Sequence, residues 1–158
     1  MSLLLLVHHG AALGPEIDAM RPLSSAGRAA TERLAGEVAA RGVKPDAIWH
    51  SGKLRARQTA EFFWKACNPF APLTAERGLL PDDPPQWIRD RLTDEGRTIL
   101  IVGHMPYLPR LLATLTAAGN DTGQRPFPLH GCVALELDGD RWREMWRLES
   151  EPPGPFGV

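Results

Sequence analysis

His9 and His104 each stand just past a short apolar run, Leu3 to Val7 and Thr98 to Val102, with a glycine (Gly10, Gly103) beside each imidazole. Between them in the chain lies Lys53-Leu54-Arg55-Ala56-Arg57-Gln58, basic residues opening a helical pattern. Those residue types suit one chemistry. A neutral imidazole nitrogen can attack phosphorus, and water can later resolve the phosphohistidine that forms. Arginine grips phosphate oxygens through its planar fork, and a helix start adds free N–H groups and a positive dipole end. His104 and the arginines, Arg21 in Met20-Arg21-Pro22 included, would steady charge on the equatorial oxygens. Each residue also has a plainer reading: a strand-end histidine bonded to its loop, arginines on a solvated helix face, an exposed Gln58. The recurrence of strand-end histidines around an Arg-bearing helix start is what favours a site.

The elements that must position these groups are legible from periodicity. Leu3 to Val7 reads as a buried strand, followed by a loop broken by Gly14, Pro15 and Pro22. Ser24 or Ser25 caps a helix running to about Arg41, with Ala30, Leu34 and Val38 as its apolar stripe and Gly42 and Pro45 as its stop. Ala47-Ile48-Trp49 is a second strand closing at His50-Ser51-Gly52. A helix follows from Leu54 to Cys67, with Ala56, Ala60, Phe63 and Cys67 inward. A brief extended piece near Leu73, a Pro-rich turn and a short helix from Gln86 to Leu92 come next. The strand at 98–102 leads into a helix from Tyr107 to Ala117, and 119–128 is a loop. Val133 to Leu137, the turn Asp138-Gly139-Asp140 and Arg141 to Leu148 form a hairpin. Alternating strands and helices imply an α/β three-layer sandwich: a mainly parallel sheet, helices on both faces, and an antiparallel C-terminal edge hairpin. In such sheets the carboxyl ends of neighbouring strands share one crevice, where His9, the His50-Ser51 segment and His104 all fall.

With 158 residues, 43% hydrophobic and 23% charged, the chain reads as a single globular domain over 1–150 with a tail at 151–158. A formal charge of -1 leaves no basic footprint for nucleic acid and no membrane attraction. Cys67 and Cys132 make no metal or redox motif and read as packing residues. Trp49, Trp64, Trp87, Trp142 and Trp146 read as core and edge packing. The leucine run lacks a basic leading segment and is too short for a secretory signal, so a cytoplasmic location is expected.

The chain resembles the histidine phosphatase superfamily, with its phosphoglycerate mutase-like fold, and within it the small SixA-type phosphohistidine phosphatases. Four segments carry the resemblance: Leu5-Leu6-Val7-His8-His9-Gly10, Met20-Arg21-Pro22-Leu23-Ser24, Ser51-Gly52-Lys53-Leu54-Arg55-Ala56-Arg57-Gln58-Thr59-Ala60, and Val102-Gly103-His104-Met105-Pro106. It implies that His9 is the phosphorylated nucleophile. It implies that Arg55 and His104 act on the phosphoryl group as catalytic and phosphate-binding residues, and that Arg21 lies at the pocket as another phosphate contact. It implies no cofactor. The substrate would be a phosphorylated protein, protein phosphohistidine first, or a small phosphorylated molecule.

Two departures stand out. The family opens its site with Arg-His-Gly and then an acid; here His8 replaces the arginine, as the phosphate contact expected at that place, and Ala11 replaces the acid. Losing one preorganised donor costs on the order of 10²–10³ in rate. An imidazolium at His8 would recover part of that below neutral pH and would keep His9 neutral by repulsion. No general acid is obvious, since Met105 follows His104 and Glu76, Asp82 and Asp83 are loosely placed. That suits a phosphoramidate, whose imidazole leaves phosphorus more readily than an alkoxide does. Two other readings compete: a catalytically impaired relative that binds phosphate or phosphorylated partners, and a zinc site of His8, His9, His50 and His104. The alternation of strand side chains, placing His8 and His9 on opposite faces, and the nearby arginines speak against zinc. His130, in the loop before the final hairpin, is within reach of the pocket rim, but a surface hydrogen bond is the expected fate.

Overall fold

The protein, described here as a computed structural model covering residues 2–117 and 125–150, is built on one six-stranded sheet. The expected tail from 151 onward, and the start of the expected 119–128 loop, lie outside the described residues. In chain order the elements are β1 (Leu3–His8), α1 (Ser25–Ala40), β2 (Ala47–His50), α2 (Leu54–Cys67), β3 (Leu73–Ala75), α3 (Pro85–Leu92), β4 (Ile99–Gly103), α4 (Tyr107–Thr116), β5 (Cys132–Asp138) and β6 (Arg141–Leu148). The sheet order is β3-β2-β4-β1-β5-β6. β1, β2, β3 and β4 pair in parallel, and β5 and β6 close one edge antiparallel. No described helix is long and apolar enough to cross a membrane.

Side chains in each central strand alternate between two cores, as strands buried on both faces require. Leu4 and Leu6 of β1, with Ile99 and Ile101 of β4, pack under Ile88, Leu92, Leu108 and Leu111 of α3 and α4. Leu5, Val7, Leu100 and Val102 pack under Leu34, Val38, Ala60 and Phe63 of α1 and α2. The register Val7↔Val102 and His8↔Gly103 ends β1 and β4 at the same level, and His50 pairs with Val102. Three strands therefore deliver their ends to one rim.

Ser24 caps α1, its hydroxyl accepting from the Gly27 N–H at 3.0 Å. The buried stripe differs from the expected one. Gly27, Thr31, Leu34, Ala35 and Val38 face inward, while Ala30 is only half-buried. The helix is turned because its first turn must meet the chain after β1. A Cβ on Gly27 would collide with the Ala11 carbonyl oxygen, and one on Gly10 with Thr31 Oγ1. Only glycine allows both approaches. Cys67 is half-buried and packs inward against the α1–α2 core, and Cys132 is buried; both thiols are free. Trp87 also departs from expectation: it is exposed, with the Arg77 guanidinium 5.2 Å over its ring.

Candidate active site

The site begins where β1 gives out. His8 still belongs to the strand, its N–H donating to the Gly131 carbonyl at 2.9 Å, whereas His9 lies one residue beyond and donates from its N–H to the Gly103 carbonyl at 3.1 Å. The His9 ring nitrogen Nδ1 lies 2.8 Å from the Gly10 carbonyl oxygen. A carbonyl only accepts, so the proton sits on Nδ1 and Nε2 carries the lone pair. Gly10 is itself fixed, its N–H donating to Thr59 Oγ1 at 2.9 Å while that hydroxyl donates to the Arg55 carbonyl at 2.8 Å. The neighbouring Gln58 accepts from the Leu23 N–H at 2.8 Å, so it is not the free surface side chain of the plainer reading.

Arg55 and His104 complete a polar floor. His104 Nε2 lies 2.6 Å from Ser51 Oγ, and its other nitrogen, Nδ1, is buried with no partner. Arg55 Nε is likewise buried and unpartnered. The His9 and His104 rings stand 5.1 Å apart between centroids. Arg21 holds a left-handed backbone (φ 51) and donates from Nε to the Leu13 carbonyl at 3.0 Å. Its charge is felt at Arg55, whose guanidinium is pushed below its ordinary pKa by burial and then by Arg21. Two unpaired buried nitrogens beside clustered cations are costly unless something negative fills the space. An anion is the matching occupant.

Burial dominates the titration of the imidazoles. It pulls His9 down to about 4, against the Gly10 hydrogen bond and with help from Arg55, and pulls His104 down to about 3. His8 falls further, to about 2, through burial and then the neighbouring His9. The expectation of an imidazolium at residue 8 therefore fails. His8 is neutral, and its Nδ1 accepts the His130 backbone N–H at 2.8 Å, leaving its proton on Nε2. Neutrality of His9 comes from burial, not from a charge at His8. One consequence is kinetic. Because the attacking form is already present, kcat/KM toward an activated aryl phosphate should stay level from pH 7.5 down to about 5. A fall centred near the ordinary histidine pKa of about 6.5 would contradict this.

Sequence reasoning underrated two residues. Ser51 reads in the sequence only as part of a strand-end segment, yet it holds the second histidine. His130 is not a surface residue on the rim: its ring stacks on His8 at 4.8 Å and 6°, and its Nδ1 lies 2.7 Å from the His9 carbonyl oxygen. Its signal was a histidine immediately before the hairpin strand that pairs with β1, at the strand's site end. The argument that His8 and His9 face apart also fails. Their ring centroids are 4.5 Å apart, because His9 is already outside the strand and escapes its alternation. The metal set shifts accordingly. His8, His9 and His130 each bring a ring nitrogen within 4.8 Å of the others, while His50 turns its Nδ1 to the Gly52 N–H at 3.0 Å. His8 has no spare lone pair once Nδ1 accepts from the backbone, so this triad offers a cation only His9 and His130.

A mainly parallel sheet whose strand ends gather histidines and arginines around one rim is an arrangement that can hold an oxyanion. The family model for the histidine phosphatase superfamily (branch 1) matches residues 4–80, which hold His9, Arg21 and Arg55. No curated protein matches the chain significantly. Among solved structures, the protein histidine phosphatase SixA complexed with tungstate is similar at TM-score 0.79 and 24% identity, covering 93% of this chain and 96% of that one. A phosphoserine phosphatase from Entamoeba histolytica, in complex with 3-phosphoglyceric acid, gives 0.71 and 14%, covering 96% and 98%. The ecdysone phosphate phosphatase from Bombix mori, in complex with tungstate, gives 0.68 and 13%, covering 92% of each chain. At these identities the likeness is one of fold.

Proposed function

We propose that this protein is a phosphatase acting through a covalent phosphohistidine on His9. The observation that carries the reading is the state of His9: Nδ1 is tied to the Gly10 carbonyl, leaving Nε2 as a neutral nucleophile beside the unpartnered Arg55 Nε and His104 Nδ1. Nε2 attacks phosphorus and the leaving group departs; water then attacks the N–P bond and phosphate leaves. Arg55 and Arg21 take the equatorial oxygens. With Ser51 donating to its Nε2, His104 presents a protonated Nδ1 to the same group. His8 contributes a neutral Nε2–H in place of a guanidinium.

Protein phosphohistidine is the substrate we assign first, because imidazole is a good leaving group and because SixA shares this fold. Two free thiols suit a reducing, cytoplasmic setting. A second reading rests on His8: a neutral imidazole is a weaker donor than arginine, which favours a phosphate-binding relative of low activity. Hydrolysis of an aryl phosphate, measured beside acid-labile phosphorylation trapped in alkali, separates the two. The phosphatase reading expects turnover with the label on His9. Phosphate binding with neither turnover nor label would leave only the binder.

A further inference from the structure

His130 is engaged more closely than its place in a loop requires. Its ring Nδ1 donates to the carbonyl of the nucleophilic residue at 2.7 Å, and its backbone N–H donates to His8 Nδ1 at 2.8 Å. It holds φ 56, a left-handed backbone region uncommon outside glycine, in which asparagine, aspartate and histidine are the enriched exceptions. Unlike His8 and His9 it is only partly buried.

We propose that His130 is the proton donor to the leaving group, an inference that rests on the phosphatase reading above. With Nδ1 fixed on the His9 carbonyl, the one proton His130 can give or take is on Nε2. Reacting atoms start about 3–3.5 Å apart, so a leaving atom in line with the attack stands roughly 5 Å from the His9 nitrogen. A ring nitrogen from each of His8, His9 and His130 lies within 4.8 Å of the others, so the His130 ring borders the space in which the phosphoryl group is attacked. In the first step the N–P bond to His9 forms, the bond from phosphorus to the leaving oxygen breaks, and the imidazolium Nε2 proton passes to that oxygen. In the second, water attacks phosphorus, the N–P bond breaks, and neutral Nε2 takes the water proton. His130 ends as it began.

The side chains around it are compatible with this cycle. The stacked His8 is neutral, and His9 presents its carbonyl oxygen to His130 Nδ1. A donor here also widens the substrate class. Phosphohistidine needs little help to release imidazole, whereas an alkyl phosphomonoester needs a proton; His130 brings small alkyl phosphomonoesters within range.

The test is a series of phosphomonoesters of rising leaving-group pKa, hydrolysed by the wild type and by His130→Asn. Asparagine tolerates the left-handed backbone and can still donate to the His9 carbonyl, but it carries no proton to give. Expected is a loss of about 10²–10⁴-fold in kcat/KM on alkyl esters and less than about threefold on an activated aryl ester. His130→Gly provides a second variant, in which added imidazole should restore alkyl ester hydrolysis. An equal loss along the series, no loss, or a wild type that hydrolyses only activated esters overturns the inference and leaves the phosphatase reading intact. A wild type with no turnover and no label on His9 overturns the phosphatase reading, and this one with it.

Discussion

Replacing His9 with asparagine should lower kcat/KM by about 10⁴-fold or more and abolish the acid-labile label. The variant keeps an amide that can donate to the Gly10 carbonyl, as Nδ1 does at 2.8 Å, and loses only the lone pair opposite. Folding and phosphate binding should therefore survive, which thermal unfolding and phosphate titration check directly. The adjacent His8→Asn is the control. His8 has its Nδ1 committed to the His130 N–H, so it has no lone pair to form a bond to phosphorus. That variant should still be labelled on His9. Labelling that follows residue 8 would refute the assignment.

The second large effect concerns stability in acid. Three buried imidazoles hold folded-state pKa values far below the ordinary 6.5: about 2 for His8, about 4 for His9 and about 3 for His104. Between those values and 6.5 the unfolded chain binds more protons than the folded one, so stability rises with pH there. Their contribution is complete above 6.5 and is lost as pH falls toward the folded values. The limiting slope is about 1.4 kcal/mol per pH unit for each group, against a total of about 5–15 kcal/mol for a typical domain. Urea unfolding midpoints should accordingly fall steeply from pH 7 to pH 5, and excess phosphate should offset part of the fall by binding the folded state alone. Midpoints unchanged over that range would show that the imidazoles are not held neutral by burial.

Most of the frame was legible because its signals are local. The apolar runs of β1 and β4, the Leu54 to Cys67 helix and the final hairpin each announce their own period, and their burial matches it. The α1 stripe was misplaced by tertiary demand: Gly27 and Thr31 face inward because the chain after β1 presses on them, and nothing in helical periodicity encodes that pressure. The site divides in the same way. His9, Arg55 and His104 sit at ends that the elements predict, whereas His130 reaches the site through β5 pairing with β1 from the far end of the chain. The protonation of His8 is hidden from the sequence for a related reason. Its state follows from burial and one backbone N–H, neither of which is visible in a row of letters.

Helix α2 holds more of this arrangement than its single arginine suggests. Thr59 grips Gly10, the residue that orients the nucleophile, while Gln58 grips Leu23 on the segment that carries Arg21, and Arg55 lies one turn earlier on the same rod. The attacking nitrogen and both cations thus share one mechanical reference. Loss of either the Thr59 or the Gln58 bond would therefore loosen the nucleophile's loop or the arginine segment without touching the imidazole itself.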